Sequence, residues 1–144
     1  MRVMAIDYGD AHTGIAVSDP TGRMAGFATV IDSRKEDFVL SEIARYAKER
    51  QADTLVMGFP KNMDGTEGPR ADLYRSFAAK VGETVGIVPV TLWDERRTTI
   101  AAHDILTVTG NHGKQRKSKV DAVAATLILE GYLSFLRNSS VSPT

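Results

Sequence analysis

The sequence predicts an α/β domain whose mixed β-sheet carries helices on its faces. Three short apolar stretches, joined by glycine- and proline-containing turns, come first and are typical of an antiparallel meander. Amphipathic helical stretches and apolar extended stretches then alternate, which is the pattern of parallel strands joined by crossover helices. Together the two patterns favour a single sheet that contains both antiparallel and parallel pairs.

The first half of the chain contains the predicted meander and one amphipathic helix. Apolar strands are predicted over residues 2–6, 14–19 and 24–31, and Asp7 follows the first of them directly. Over residues 35–50, apolar side chains recur at helical spacing among charged ones, which predicts a helix with one buried face. The apolar members of this helix are Phe38, Val39, Ile43, Tyr46 and Ala47.

Two further strands and a second amphipathic helix are predicted next. The strands cover residues 54–57 and 87–92. Pro69 suits the first turn of a helix because its missing N–H would be unpaired there anyway, and this helix extends to about Gly82. Its predicted apolar face consists of Leu73, Phe77 and Val81.

Two helices are predicted at the end of the chain. One covers about residues 99–108 and the other about residues 119–136, with Ser118 as the cap of the second. The polar residues 138–144 are expected to form a disordered tail. Residues 1–137 are therefore expected to form one domain, for which a chain of 144 residues is long enough.

Composition limits the function classes. The chain has no cysteine, which excludes disulfides and thiolate metal sites and suits a reducing cytosol. No apolar run approaches the roughly 20 residues that a membrane span needs, so we expect a cytoplasmic protein without a membrane partner. Eighteen basic and eighteen acidic residues cancel, which argues against a protein that coats nucleic acid through a general basic excess.

Three carboxylates are the candidate catalytic and metal-binding residues. Asp7 and Glu95 each follow a predicted strand, and Asp121 lies near the start of the last helix. Ligand sites in such sheets lie beyond the carboxyl ends of the parallel strands. Carboxylates are the ligands that Mg²⁺ and Mn²⁺ prefer, and two such ions about 4 Å apart can hydrolyse a phosphodiester. The structural alternatives are a turn former at Asp7, a solvated loop at Glu95 and a capping box at Asp121.

Four sequence blocks resemble the YqgF/RuvX family of Holliday junction resolvases, and the resemblance extends from residue 1 to about residue 136. The first block contains Asp7 and Gly9 and continues to Asp19. The second covers residues 58–70. The other two blocks contain the remaining acids and read Asp94-Glu-Arg-Arg-Thr-Thr99 and Lys117-Ser-Lys-Val-Asp-Ala-Val-Ala-Ala-Thr-Leu-Ile-Leu-Glu-Gly-Tyr-Leu133.

The resemblance implies an RNase H-like fold with a five-stranded mixed sheet and a hydrolase of ester bonds. It implies that Asp7, Glu95 and Asp121 bind the metal ions. Family members are linked to maturation of the 5′ end of pre-16S ribosomal RNA, and hence to the ribosome, and to resolution of branched DNA. The chain departs from the family at His12, where relatives usually have arginine, and at Arg97, where they often have leucine.

Basic residues near the predicted acids are the candidate substrate contacts. Four of them form a predicted basic loop just before Asp121, which could hold a nucleic-acid backbone without reading its sequence. Three others lie in or beside the second and third blocks. The candidates are Lys61, Arg70, Arg96, Lys114, Arg116, Lys117 and Lys119.

Two other functions are compatible with the residues. One is a non-catalytic RNA- or ribosome-associated module of the same fold, against which retention of all three acids argues. The other is half of an actin-like or sugar-kinase-like ATPase, for which the chain has neither a second lobe nor a second phosphate loop. A junction resolvase needs two symmetric cuts and thus a homodimer, whereas an RNA-processing enzyme can act as a monomer; the sequence leaves both states open.

Overall fold

The computed structural model describes residues 1–61, 64–94 and 113–141. Within the last of these ranges, it describes side chains for residues 122–138.

The predicted meander is present, with one shift in register between Val17 and Ser18 near its second turn. Strands β1 (Val3–Asp7), β2 (His12–Ser18) and β3 (Ala25–Asp32) pair antiparallel in chain order. A tight turn connects β2 to β3, in which the Asp19 carboxylate accepts hydrogen bonds from the Thr21 hydroxyl and the Arg23 amide. This local pairing of an aspartate with the following backbone is typical of turn-forming sequences.

Two crossovers add parallel strands on the other side of β1. Helix α1 (Glu36–Glu49) leads to β4 (Thr54–Phe59), and helix α2 (Ala71–Val85) leads to β5 (Thr91–Asp94). β4 pairs parallel with both β1 and β5. The sheet order is therefore β3-β2-β1-β4-β5, and the predicted five-stranded mixed sheet is confirmed.

The last strand begins later than its apolar sequence predicts. Residues 87–92 were expected to be extended, but β5 pairs with β4 only from Thr91, opposite Val56, to Asp94. Pro89 has no N–H to give to a ladder, so regular pairing starts after it. The strand also extends past its predicted end at Leu92, so Asp94 is its last residue rather than the first residue of a loop.

Helices α1 and α2 cover one face of the sheet. The buried positions Val39, Ile43 and Ala47 form a stripe at four-residue spacing along α1. In α2, Tyr74 and Phe77 are among the buried residues. Phe38 and Leu73, which the spacing placed on the buried faces, are instead 47% and 42% exposed. In α1 the buried stripe consists of predicted members and leaves out Phe38, whereas in α2 Tyr74 is buried in place of its neighbour Leu73.

The long helix α3 (Gly113–Val141) covers the opposite face. Its buried residues Ala125, Ile128, Leu129 and Leu133 recur at helical spacing and pack on small or apolar residues of the sheet. Those sheet residues are Val3, Ala5, Ala16, Val56 and Trp93. No helix in the three described ranges has the combined length and apolar character required to cross a membrane.

The start of α3 corrects the predicted basic loop. The helix includes Ser118, so this residue is not its N-cap, and the four basic residues belong to its first turns rather than to a loop. Lysine, arginine and glutamine are good helix formers and no proline interrupts them, so the helix extends through the charged segment. These residues are Lys114, Arg116, Lys117 and Lys119.

The helix also continues through residues 138–141, into the segment that was expected to be a tail. The predicted helix over residues 99–108 lies outside the described residues.

One hydrogen bond establishes the direction of α3 across the sheet. Arg137 Nη1 donates to the Arg23 carbonyl oxygen at 2.8 Å. Arg23 lies in the β2–β3 turn, beside the edge of the sheet where β1 begins. The carboxyl-terminal part of α3 therefore reaches that edge, and its earlier residues extend toward the edge where β1 ends at Asp7.

The packing of α3 predicts that Leu129→Ala lowers the free energy of unfolding by about 2–5 kcal/mol, because it leaves a cavity in a close-packed core. Leu129 is 0% exposed. Denaturant unfolding of the purified protein would measure the change. Glu130→Ala, at the neighbouring exposed position, is the control and should change the value by no more than roughly 0.5 kcal/mol. Equal effects of the two variants would contradict the assigned face of the helix.

Candidate active site

The parallel strands end together at one edge of the sheet. Ile6 pairs with Met57, and Phe59 pairs with Asp94. Asp7 ends β1, Phe59 ends β4 and Asp94 ends β5. The edge is where ligands bind in sheets of this kind, so it is the candidate active site.

Asp7 is the predicted acid whose surroundings are described. It is partly buried and pairs with Gly14 of β2. Side chains alternate along a strand, so Asp7 shares a face with Val3 and Ala5, and both of these pack against α3. The carboxylate therefore lies at the end of the central strand, on the face that α3 covers.

The other two predicted acids are placed less completely. Glu95 and Arg96 lie outside the described residues. Asp121 belongs to α3, one helical turn before Ala125, which is 0% exposed against the sheet. Its side chain is outside the described part. Among the side chains that the structure does describe, no group of three or more acids or histidines could hold a metal ion.

The loop after β1 is held against α2 by aromatic contacts. The Tyr8 ring stacks on Phe77 with centroids 3.8 Å apart, and the Tyr74 hydroxyl donates to the Tyr8 carbonyl oxygen at 3.1 Å. Burial raises the pKa of the Tyr8 phenol. A side chain at Gly9 would place its Cβ 2.4 Å from the His12 carbonyl oxygen. The backbone can therefore turn this tightly beside Asp7 only with glycine at that position.

Two predicted substrate contacts are described, and both lie near this edge. Arg70 directly precedes α2, and its guanidinium Nη2 is 2.7 Å from Asp10 Oδ1. The hydrogen bond from Arg70 is the main cause that lowers the pKa of Asp10 and raises that of Arg70. Lys61 follows β4 and is exposed, and its backbone forms an isolated bridge with Glu67.

The sequence did not reveal a histidine–aspartate pair at the same edge. His12 Nδ1 and Asp32 Oδ1 are 2.5 Å apart, and the two residues are direct partners in the β2–β3 ladder. The neighbouring backbone is joined as well, since the Ser33 amide donates to the Ala11 carbonyl oxygen at 3.0 Å. The pair depends on the exact register between β2 and β3. Sequence patterns do not fix that register to within one residue, so they could not predict the pair.

The family model named RuvX, described as Holliday junction resolvase, matches residues 1–135. The chain belongs to the RuvX family. The resemblance inferred from the four sequence blocks is thereby confirmed.

Curated relatives match over nearly the full length. A Bacillus subtilis protein named "Putative pre-16S rRNA nuclease" is 44% identical over 138 residues, which cover 94% of this chain and 99% of the relative. A Clostridium botulinum protein of the same name is 41% identical over 136 residues, covering 94% of this chain and 98% of that one.

Solved structures of resolvases share the fold. Thermus thermophilus RuvC in complex with a Holliday junction substrate aligns with a TM-score of 0.62 at 14% identity, over 100% of this chain and 99% of RuvC. The fowlpox virus resolvase with Holliday junction DNA aligns with a TM-score of 0.52 at 15% identity, over 94% and 99% of the two chains. At these identities the likeness establishes the RNase H-like fold of this RuvX family member.

Arg70→Ala is expected to return the pKa of Asp10 toward its ordinary value of 3.8. The folded-state pKa is depressed, so the contribution of the pair to stability is present above the unfolded-state pKa and is lost as pH falls through the folded-state value. Carboxyl-carbon NMR titration measures the pKa of Asp10. Arg45→Ala, which removes an exposed arginine paired with other acids, should leave it unchanged. An unchanged value in Arg70→Ala would contradict the pairing.

Gly9→Ala is expected to destabilise the fold by roughly 1–3 kcal/mol, because the backbone must shift to relieve the contact with the His12 carbonyl oxygen. Denaturant unfolding gives the change. Asp10→Ala in the same loop is the control, since it removes an exposed side chain and a solvent-screened ion pair but leaves the backbone unchanged, and it should cost less stability than Gly9→Ala. Wild-type stability in Gly9→Ala would show that the loop has room for a Cβ atom.

Proposed function

We propose that this RuvX family member is a metal-dependent endonuclease that hydrolyses phosphodiester bonds in structured nucleic acid, with the 5′ end of pre-16S ribosomal RNA as its substrate. The observation that carries the proposal is the position of Asp7, at the end of the central strand on the face beneath α3. The relatives at 41–44% identity are named for pre-16S rRNA, which favours this substrate.

Asp7, Glu95 and Asp121 would hold one or two Mg²⁺ or Mn²⁺ ions. The donor set fits these ions because it offers carboxylate oxygens and no thiolate. A bound ion would supply an activated water and would stabilise charge on the phosphate and on the leaving oxygen. The direction of α3 supports the inclusion of Asp121, since the helix extends from the Arg23 contact toward the edge where Asp7 lies.

The basic residues would bind the phosphate backbone around the acids. Lys61 and Arg70 lie near the edge where β4 ends, and Arg96 follows β5 in sequence. The first turns of α3 carry four more cations, two to seven residues before Asp121. Such contacts fix the register and orientation of a nucleic acid without reading its bases. The four are Lys114, Arg116, Lys117 and Lys119.

The structural neighbours favour a second substrate, a four-way DNA junction. Both the RuvC and the fowlpox virus structures contain Holliday junction DNA. Symmetric cutting of a junction would require two copies of this chain related by a twofold axis, whereas trimming an RNA end requires one copy.

Asp7→Asn is expected to abolish metal-dependent cleavage. The loss should exceed the ~10–100-fold that removal of an outer partner of a metal ligand costs. Cleavage of a 5′-extended small-subunit rRNA fragment and of a four-way DNA junction would be measured with Mg²⁺, Mn²⁺ or EDTA. Asp72→Asn is the matched control, because it removes the charge of an exposed aspartate in α2 and should leave cleavage unchanged.

Each outcome of this assay has a defined meaning. Cutting that requires a divalent metal and Asp7 would establish the nuclease, and the preferred substrate would decide between RNA processing and junction resolution. Binding of either nucleic acid without cutting in any metal would refute the catalytic proposal and favour the non-catalytic RNA- or ribosome-associated module.

A further inference from the structure

The His12–Asp32 pair lies on the same face of the sheet as Asp7. Asp7 pairs with Gly14, and His12 is two residues before Gly14 on β2. Directly paired residues and those two apart on a strand share a face. His12 is thus the diagonal cross-strand neighbour of Asp7, at a Cα separation of roughly 7–8 Å. A nucleic acid bound at Asp7 would pass this imidazole.

The geometry of the pair defines which ring atom a ligand would meet. A carboxylate can only accept hydrogen bonds, so Nδ1–H of His12 donates to Asp32. Within the described part of the chain, Asp32 is the hydrogen-bond partner of the ring. Nε2 lies on the far side of the ring from Nδ1, and when it is protonated it can donate to an anion. The carboxylate therefore fixes the orientation of the ring and keeps the Nδ1 proton in place, so the form that can also donate from Nε2 is the imidazolium.

The exposure of the pair argues against a purely structural role. The side chains of His12 and Asp32 are 28% and 62% exposed. Ion pairs exposed to this extent contribute little to stability because water screens them. Neither residue is among the buried residues that form the core.

We propose that His12 is a substrate contact, whose imidazolium donates its Nε2–H to a backbone phosphate at or beside the bond that is cut, and that Asp32 is the positioning residue for its ring. This inference rests on the proposed function, since it takes the edge at Asp7 as the place where nucleic acid binds. Asp10 and Arg70, two other charged residues near this edge, already pair with each other. His12 supplies a donor on the α3 face itself.

His12→Ala should weaken binding of the 5′-extended rRNA fragment and the four-way DNA junction by about 3–10-fold. Binding would be measured in EDTA, so that it does not depend on metal or cutting. The slope of log K against log salt should become shallower by up to roughly 0.7–0.9, the change expected for one lost phosphate contact. His12→Arg should restore binding, because a permanent cation supplies the same donor.

Lys80→Ala is the matched control for charge. Lys80 is an exposed cation paired with Glu36 at 2.6 Å, and it belongs to α2, on the opposite face of the sheet. Its removal should leave binding unchanged, and thermal unfolding should confirm that every variant is folded. Wild-type binding by His12→Ala, an equal loss in Lys80→Ala, or failure of His12→Arg to restore binding would each overturn the proposed contact.

A double-mutant cycle tests the positioning role of Asp32. With Ala at position 12, Asp32→Asn should tighten binding, because it only removes an anion from the surface. With His12 present, the same substitution also removes the hydrogen bond that orients the imidazole, so the increase in binding affinity should be smaller or become a decrease. An equal effect in both backgrounds would show that Asp32 does not position His12.

The binding and cleavage experiments separate this inference from the proposed function. If Asp7→Asn abolishes cutting while His12→Ala changes neither binding nor KM, the contact is wrong and the nuclease stands. If no cutting occurs in any metal but His12→Ala binds nucleic acid more weakly, the His12 contact is supported and the protein is a non-catalytic binding module. A fall in kcat alone, with binding unchanged, would assign His12 to the chemical step and overturn the phosphate contact.

Discussion

The position of β1 between an antiparallel and a parallel neighbour is the constraint on which the rest of the structure depends. Val3, Met4, Ala5 and Ile6 are all 0% exposed, so this strand is buried on both faces and contributes to both halves of the core. Its register with β4 sets where the parallel strands end, and its register with β2 sets where His12 lies. A slip by one residue would exchange the two faces of the strand and would remove Asp7 from the face beneath α3.

Small residues link the packing of α3 to the candidate site. Ala5 and Ala16 of the sheet belong to the same buried cluster as Ala125 of the helix, and such small side chains allow a helix and a sheet to approach closely. Farther along the helix, a Cβ at Gly131 would lie 3.3 Å from the Trp93 ring, so glycine allows the indole to pack there. The same close approach that fills this core brings the segment containing Asp121 over the sheet, toward the edge where Asp7 lies.

Most of the fold, and the location of Asp7 at its edge, could be predicted from the sequence because both follow from local patterns. Hydrophobic alternation, helical spacing and turn residues identified five strands and their mixed pairing. The predicted start of β5 is wrong because Pro89 interrupts pairing in a mostly apolar segment. The predicted start of α3 is wrong because charged residues with high helix propensity extend the helix back to Gly113. The His12–Asp32 pair depends on register between strands that are separated by a turn, and no local pattern encodes it.

In the ion pair between Asp10 and Arg70, the arginine already binds an anionic group of the protein itself, the Asp10 carboxylate. A phosphate that binds at Arg70 has to exchange with a carboxylate already in place, so the free energy of that contact is a difference between two anions rather than a gain over water. The internal ion pair and the equal numbers of acidic and basic residues in the chain both disfavour non-specific binding to nucleic acid. The competition of Asp10 for Arg70 favours ligands that contact several residues of this edge at once, and therefore recognition by shape rather than by charge alone.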